Sequence, residues 1–147
     1  IINVFWVSLD PQTVSNPPDP QTERNSLFCQ GYLFDTTTLT VMESGTPQVI
    51  ANGVEALQIL YGEATDPLPI NGSRNVSRYV NANEVADWTD VYAVKVAIMT
   101  RSISDVTNST SNKQYIMLDA GLYSFTDTVN RQVFSSTFAF SNFRDDE

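Results

Sequence analysis

The sequence predicts a mainly β (α+β) chain: an antiparallel sheet with one short helix. Three observations carry this expectation. Apolar residues alternate at period two in several segments of strand length, most clearly in DVYAVKVAIMTR, residues 90–101. No helix long enough for a βαβ crossover is present, which excludes a parallel sheet. Polar stretches rich in Ser, Thr, Asn and Pro separate the strands and read as loops at 10–25, 63–77 and 102–113. The 147 residues fit a single globular domain, 1–147. A chain of this length buries about 68–70 % of its unfolded surface, enough for a real core.

The first segment, Ile1 to Leu9, is apolar on both faces and reads as a buried strand. The prolines of DPQTVSNPPDPQTERN then forbid helix and central strand alike. SLFCQGYLF and TLTVME form two strands around DTTT, and Gly45 and Pro47 turn the chain. Asn52-Gly53 is a strong turn dipeptide. It opens NGVEALQILYG, the most apolar continuous run. Bounded by Gly53 and Gly62, that run has strand length, with Leu57, Ile59 and Tyr61 pointing inward. After a long loop, RYV forms a brief strand. Asn81 and Glu84 have capping-box spacing and predict a short helix over 82–88 that packs Trp88 into the core. In the next strand Tyr92, Val94, Val96 and Ile98 make one apolar face, while Ala93, Lys95, Ala97 and Met99 make a small, semi-polar one. QYIML, DAGLYSF and QVFSSTFAF complete the set, with Phe134, Phe138 and Phe140 on one side of the last.

The chemical vocabulary is sparse. With no histidine, Ser-His-Asp and Cys-His catalysis and most zinc sites are excluded. The net charge of −9, with no basic stripe, disfavours nucleic acid and anionic membrane surfaces as partners. Cys29 sits among Phe28, Tyr32 and Leu33 with no nearby cation, so it reads as a buried or disulfide-type structural residue rather than a nucleophile. Glu55, Glu63, Asp66, Asp87, Asp90 and Asp119 are the acids that a glycosidase-type pair could draw on, but nothing in the pattern brings two together. Arg78, Arg101 and Arg131 stand at strand boundaries and read as solvated charges or surface ion pairs worth little. Three Asn-x-Ser/Thr triplets begin at Asn71, Asn75 and Asn108, a pattern expected by chance in such loops. No catalytic residue, cofactor or metal site is expected. The chain opens on IINVFWVSL without Met, inside a strand, and is expected to be a processed product or fragment.

The order of motifs carries more than any single residue. NGVEALQILYG is followed by a polar loop, then RYVNANEVADWTDVYAVKVAIMTRS, then QYIMLD, then VNRQVFSSTFAFSNF. From about Arg24 to Phe143 this order resembles the C-terminal part of PilW-like minor pilins of bacterial type IV pili. The resemblance implies a structural subunit: a long N-terminal helix, membrane-embedded before assembly and absent from this chain, packed on an antiparallel sheet. It implies a role in priming pilus assembly and at the pilus tip, with other pilins, minor pilins and a large tip adhesin as partners. The implied location is the periplasm and surface pilus, inner-membrane anchored before assembly. Leu57, Ile59, Tyr61, Tyr92, Val94, Val96 and Ile98 would then be the assembly strands, and the open face of Tyr92, Val94, Val96 and Ile98 would take a helix. Cys29 would pair with a cysteine of the segment outside this chain. Where many members carry an acidic D-x-D-x-D-G-like loop after YG, this chain reads EATDPLPINGSRNVS and departs from that metal-holding pattern. The alternative is a secreted β-sandwich binding module for carbohydrate or protein, with Tyr32, Tyr79 or Trp88 as a stacking platform.

Overall fold

The computed structural model describes residues 1–13, 24–64, 75–102 and 110–140. They form ten strands, paired throughout as antiparallel neighbours: β1 (Ile2–Leu9), β2 (Asn25–Asp35), β3 (Thr40–Ser44), β4 (Gln48–Asn52), β5 (Val54–Glu63), β6 (Arg78–Val80), β7 (Val91–Arg101), β8 (Ser111–Met117), β9 (Ala120–Asp127) and β10 (Arg131–Ala139). The mainly β, antiparallel expectation therefore holds.

β2 is the centre of the first sheet. β1 runs along one edge, from Ile2 opposite Tyr32 to Leu9 opposite Asn25. β4 and β3 lie end to end along the other, against Ser26–Cys29 and Tyr32–Asp35 respectively. The expectation that β1 is buried on both faces is corrected here. It is an edge strand, and Ile2, Val4, Phe5 and Leu9 are exposed. Trp6, stacked on Phe28 at 5.6 Å, and Val7 are half-buried.

Asn52-Gly53 does not make a hairpin. The chain runs through it from β4 in the first sheet into β5 in the second. Gly53 has φ +74°, donates its N–H to Asn25 O (3.0 Å) and accepts from Arg101 N–H (2.8 Å). A Cβ there would stand 3.1 Å from the Arg101 carbonyl oxygen. The left-handed conformation that favours glycine in tight turns serves here as a joint between sheets.

The second sheet has the order β10-β7-β5-β6. The β8–β9 hairpin covers one of its faces. Ala97 and Met99 of β7 and Met117 of β8 form the buried cluster, packed by Ala56, Tyr115, Ala120, Tyr123, Phe125 and Val133. Ala56, Met99 and Val133 are cross-strand neighbours, so this face is continuous over three strands. Small residues at Ala56 and Ala97 let the hairpin approach the sheet closely, and the β7 face that reads as semi-polar is in fact the buried one. Leu57, Ile59 and Tyr61 therefore turn away from the hairpin rather than into the core.

The predicted helix over 82–88 is replaced by two 3-10 turns, Ala82–Glu84 and Trp88–Asp90. The Asn81 side chain accepts from Asn83 N–H (3.0 Å), and Glu84 N–H bonds the Asn81 carbonyl instead (3.0 Å). The next N–H groups that could extend a helix, those of Ala86 and Asp87, are bonded to the Glu63 carboxylate (2.6 and 3.2 Å). Strand β8 begins at Ser111, inside the segment expected to be loop. Most of the loops expected at 10–25 and 63–77 lies outside the described residues. Among the described residues no helix is long and apolar enough to cross a membrane.

Candidate assembly surface

The face of the second sheet opposite the hairpin is built in cross-strand rows. Leu57, Ile98 and Phe134 form the first, Ile59, Val96 and Ser136 the second, and Tyr61, Val94 and Phe138 the third. Tyr92 and Phe140 continue it, joined by the Phe140 N–H to the Tyr92 carbonyl (2.8 Å). Ser136 and the hydroxyls of Tyr61 and Tyr92 are the polar groups among these positions, and none is charged.

Ile59, Phe134, Phe138 and Phe140 are exposed, the last three at 45–55 %. Leu57, Tyr61, Tyr92, Val94, Val96 and Ile98 are half-buried by their neighbours in the sheet. Trp88, expected in the core, is 55 % exposed and stands edge-on to Tyr61, with ring centroids 4.8 Å apart, which extends the apolar face. Three strands at about 4.8 Å spacing and four rows at about 6.8 Å give a patch about 10 Å wide and 20 Å long. Those dimensions match an α-helix of about 10–12 Å diameter over roughly thirteen residues. The small residues of the opposite face serve the hairpin, while the bulky ones stand where a further layer is missing among the described residues.

Two ion-pair clusters hold this sheet. Glu63, 1 % exposed, ends β5 and accepts from Arg78 Nε (2.9 Å) and Nη2 (2.7 Å) as well as from the two backbone N–H groups above. Burial alone would push its carboxyl up, but these hydrogen bonds outweigh it and hold the pKa below the ordinary glutamate value. By fixing residues 86 and 87, the Glu63 clamp sets where Trp88 stands against Tyr61.

The second cluster centres on Arg131, 6 % exposed at the start of β10. It bonds Glu55 through Nε and Nη2, and Asp127 through Nη1 (2.9 Å) and Nη2 (2.8 Å), and lies 3.7 Å above the Phe125 ring. Arg101 Nη1 is 3.7 Å from the same Glu55 carboxylate. Glu55 occupies a β-bulge between Val54 and Ala56. Burial disfavours the Arg131 charge, yet the hydrogen bonds it donates to Asp127 and Glu55 outweigh that and raise its pKa further. Hydrogen bonding from Arg131, partly opposed by burial, lowers the pKa of Asp127. The expectation of solvated arginines thus fails at Arg131, which anchors β10, β5 and the end of the β8–β9 hairpin together.

The other expected site residues are dispersed. Asp119 accepts from Gln58 Nε2 at the hairpin turn, and Asp87 caps the second 3-10 turn through Thr89 N–H (2.8 Å). Asp66 lies outside the described residues, as do Asn71 and Asn108. Cys29 is a free, half-buried thiol on β2, between Phe5 and Gln48 in register. Glu55 and Asp127 come together on Arg131, which bonds both carboxylates. Sequence reasoning missed the Glu63 and Arg131 clusters because Arg78 stands 15 residues from Glu63 and Glu55 stands 76 from Arg131, although Asp127 is only four residues before Arg131. The sole local signal was an acid immediately before or after an apolar strand.

The family model described as Type IV Pilus-assembly protein W matches residues 5–142. No curated protein and no solved structure matches the chain.

Proposed function

We propose that this chain, which belongs to the Type IV Pilus-assembly protein W family, is a structural minor pilin subunit with a pilin-like fold. Its family places it in type IV pilus assembly, with protein partners within the pilus machinery and a cell-envelope or pilus location. In the proposed reading the open face of β5, β7 and β10 packs against a pilin-type helix, inner-membrane anchored before assembly. The subunit then joins other minor pilins in the complex that primes assembly and sits at the tip, where a large adhesin can contact it. It carries out no catalysis. Cys29 is available for a disulfide with a segment outside this chain.

The observation that carries this reading is the uncharged apolar patch over three adjacent strands, whose width and length suit one helix. A contiguous exposed patch of this kind marks a surface awaiting a partner. A photo-crosslinking residue at Phe138, placed in the protein in cells that make pili, is expected to capture pilin subunits. A second reading, the carbohydrate-binding module, is favoured by the exposed Trp88 beside Tyr61. Absence of any pilin adduct, together with glycan binding that is lost on Trp88→Ala, would replace the first reading by the second.

A further inference from the structure

Strand β10 ends the second sheet, and among the described residues no strand pairs with its outer edge. Edges are normally blunted by charge, proline, bulges or short length. This one has none of these. Its nine residues pair with β7 in unbroken register, and Gln132 to Phe140 includes no charged residue, Pro or Gly. Every residue from Phe134 to Phe140 is exposed. The hydrogen bond from Phe140 N–H to Tyr92 fixes the alternation of the ladder. Even-numbered residues bond β7, so the backbone N–H and C=O groups of Val133, Ser135, Thr137 and Ala139 point outward. Only another extended strand presents partners at that spacing.

We propose that β10 pairs antiparallel with β10 of a second copy, about a two-fold axis at Ser136, joining the two four-stranded sheets edge to edge. The strand is complementary to itself in this register. Ser135 meets Thr137 of the second copy through paired backbone hydrogen bonds, and Phe134 meets Phe138, each twice by symmetry. No charge faces a like charge. Each chain carries a net −9, which opposes close approach of two copies in general, but this edge brings none of it into contact. Arg131, at the end of the strand, is already neutralised by Glu55 and Asp127. The pairing stands apart from the pilus reading, because it uses the strand edge and leaves the apolar face free on both copies.

Sedimentation equilibrium of the 147-residue chain tests this. A reversible monomer–dimer equilibrium is expected, tightening as salt screens the repulsion between chains. Thr137→Pro deletes an outward N–H and leaves every hydrogen bond to β7 in place. Ser135→Lys puts a charge at the pairing edge. Each is expected to weaken association at least about tenfold, with circular dichroism unchanged. If Thr137→Pro does not fold, Ser135→Lys decides alone. A chain that stays monomeric at every concentration overturns the proposal. So does a dimer that folded variants leave intact, or assembly that grows beyond two copies.

Discussion

Replacing Arg131 by alanine is expected to destabilise the chain by about 3–5 kcal/mol, the usual cost of breaking a buried ion pair from one side. The guanidinium is 3 % exposed and is the common partner of Glu55 and Asp127. Without it, Glu55, 13 % exposed, keeps only the 3.7 Å contact to Arg101. The loss belongs near the lower end of the range, because Asp127 keeps 34 % of its side chain in solvent. Urea unfolding measures it as a lower midpoint at unchanged slope. The triple variant Arg131→Met, Glu55→Gln, Asp127→Asn is expected to recover part of the loss, since Arg101, 14 % exposed, is then the one charge of the cluster left without its carboxylate. A loss below about 1 kcal/mol for Arg131→Ala would show a pair as weak as a surface one.

The same cluster fixes the direction of the acid response. Asp127 has a folded pKa below its ordinary value of 3.8, chiefly through hydrogen bonds from Arg131. Its contribution is therefore complete above the unfolded value and is lost as pH falls through the lower folded one. Glu63, also depressed in the fold, acts in the same direction below its ordinary 4.5. Stability of the wild-type chain is expected to fall steeply under about pH 4, and the Arg131→Ala chain, which has lost the Asp127 part, to fall less.

Phe138→Glu combined with Ile59→Glu is expected to abolish incorporation into pili while leaving the isolated fold nearly unchanged. Phe138 is 55 % and Ile59 37 % exposed in the free chain, so each substitution is expected to cost no more than about 1 kcal/mol. Against a helix the same carboxylates are desolvated without a partner, a penalty of several kcal/mol. Since 1.4 kcal/mol is about tenfold in affinity, a loss of at least about a hundredfold follows. Piliation of cells and melting temperature of the purified chain are the two readouts. Ser124→Glu, at an exposed position of β9 within the hairpin, serves as the control and is expected to assemble normally.

Much of the fold was legible because strand periodicity is local. Val91–Arg101 and Arg131–Ala139 follow their period-two pattern, and Arg78–Val80 was readable between loop and turn signals. What failed depends on partners distant in sequence. Which side of β7 faces the core was decided by the hairpin that packs on it: Ala97 leaves space, and Met99 fills it against Met117 of the hairpin, where Val96 and Ile98 face the other way. The capping box at Asn81 lost to Glu63, whose carboxylate takes the N–H groups a helix needs. Asn52-Gly53 has the same local preference in a hairpin and in a joint between sheets. The candidate surface was half legible. Its residues could be named, but their exposure, and the addition of Trp88 to them, required the sheet order.

The central claim is that the open face of β5, β7 and β10 is covered when the subunit assembles. Thiol labelling of a Cys29→Ser, Ile59→Cys chain tests it most directly, because Ile59 lies mid-face on β5 and is exposed in the free chain. The account predicts rapid labelling of the purified chain and labelling at least about tenfold slower in assembled pili, corresponding to at least about 1.4 kcal/mol of protection. Equal rates in the free and assembled protein would contradict it.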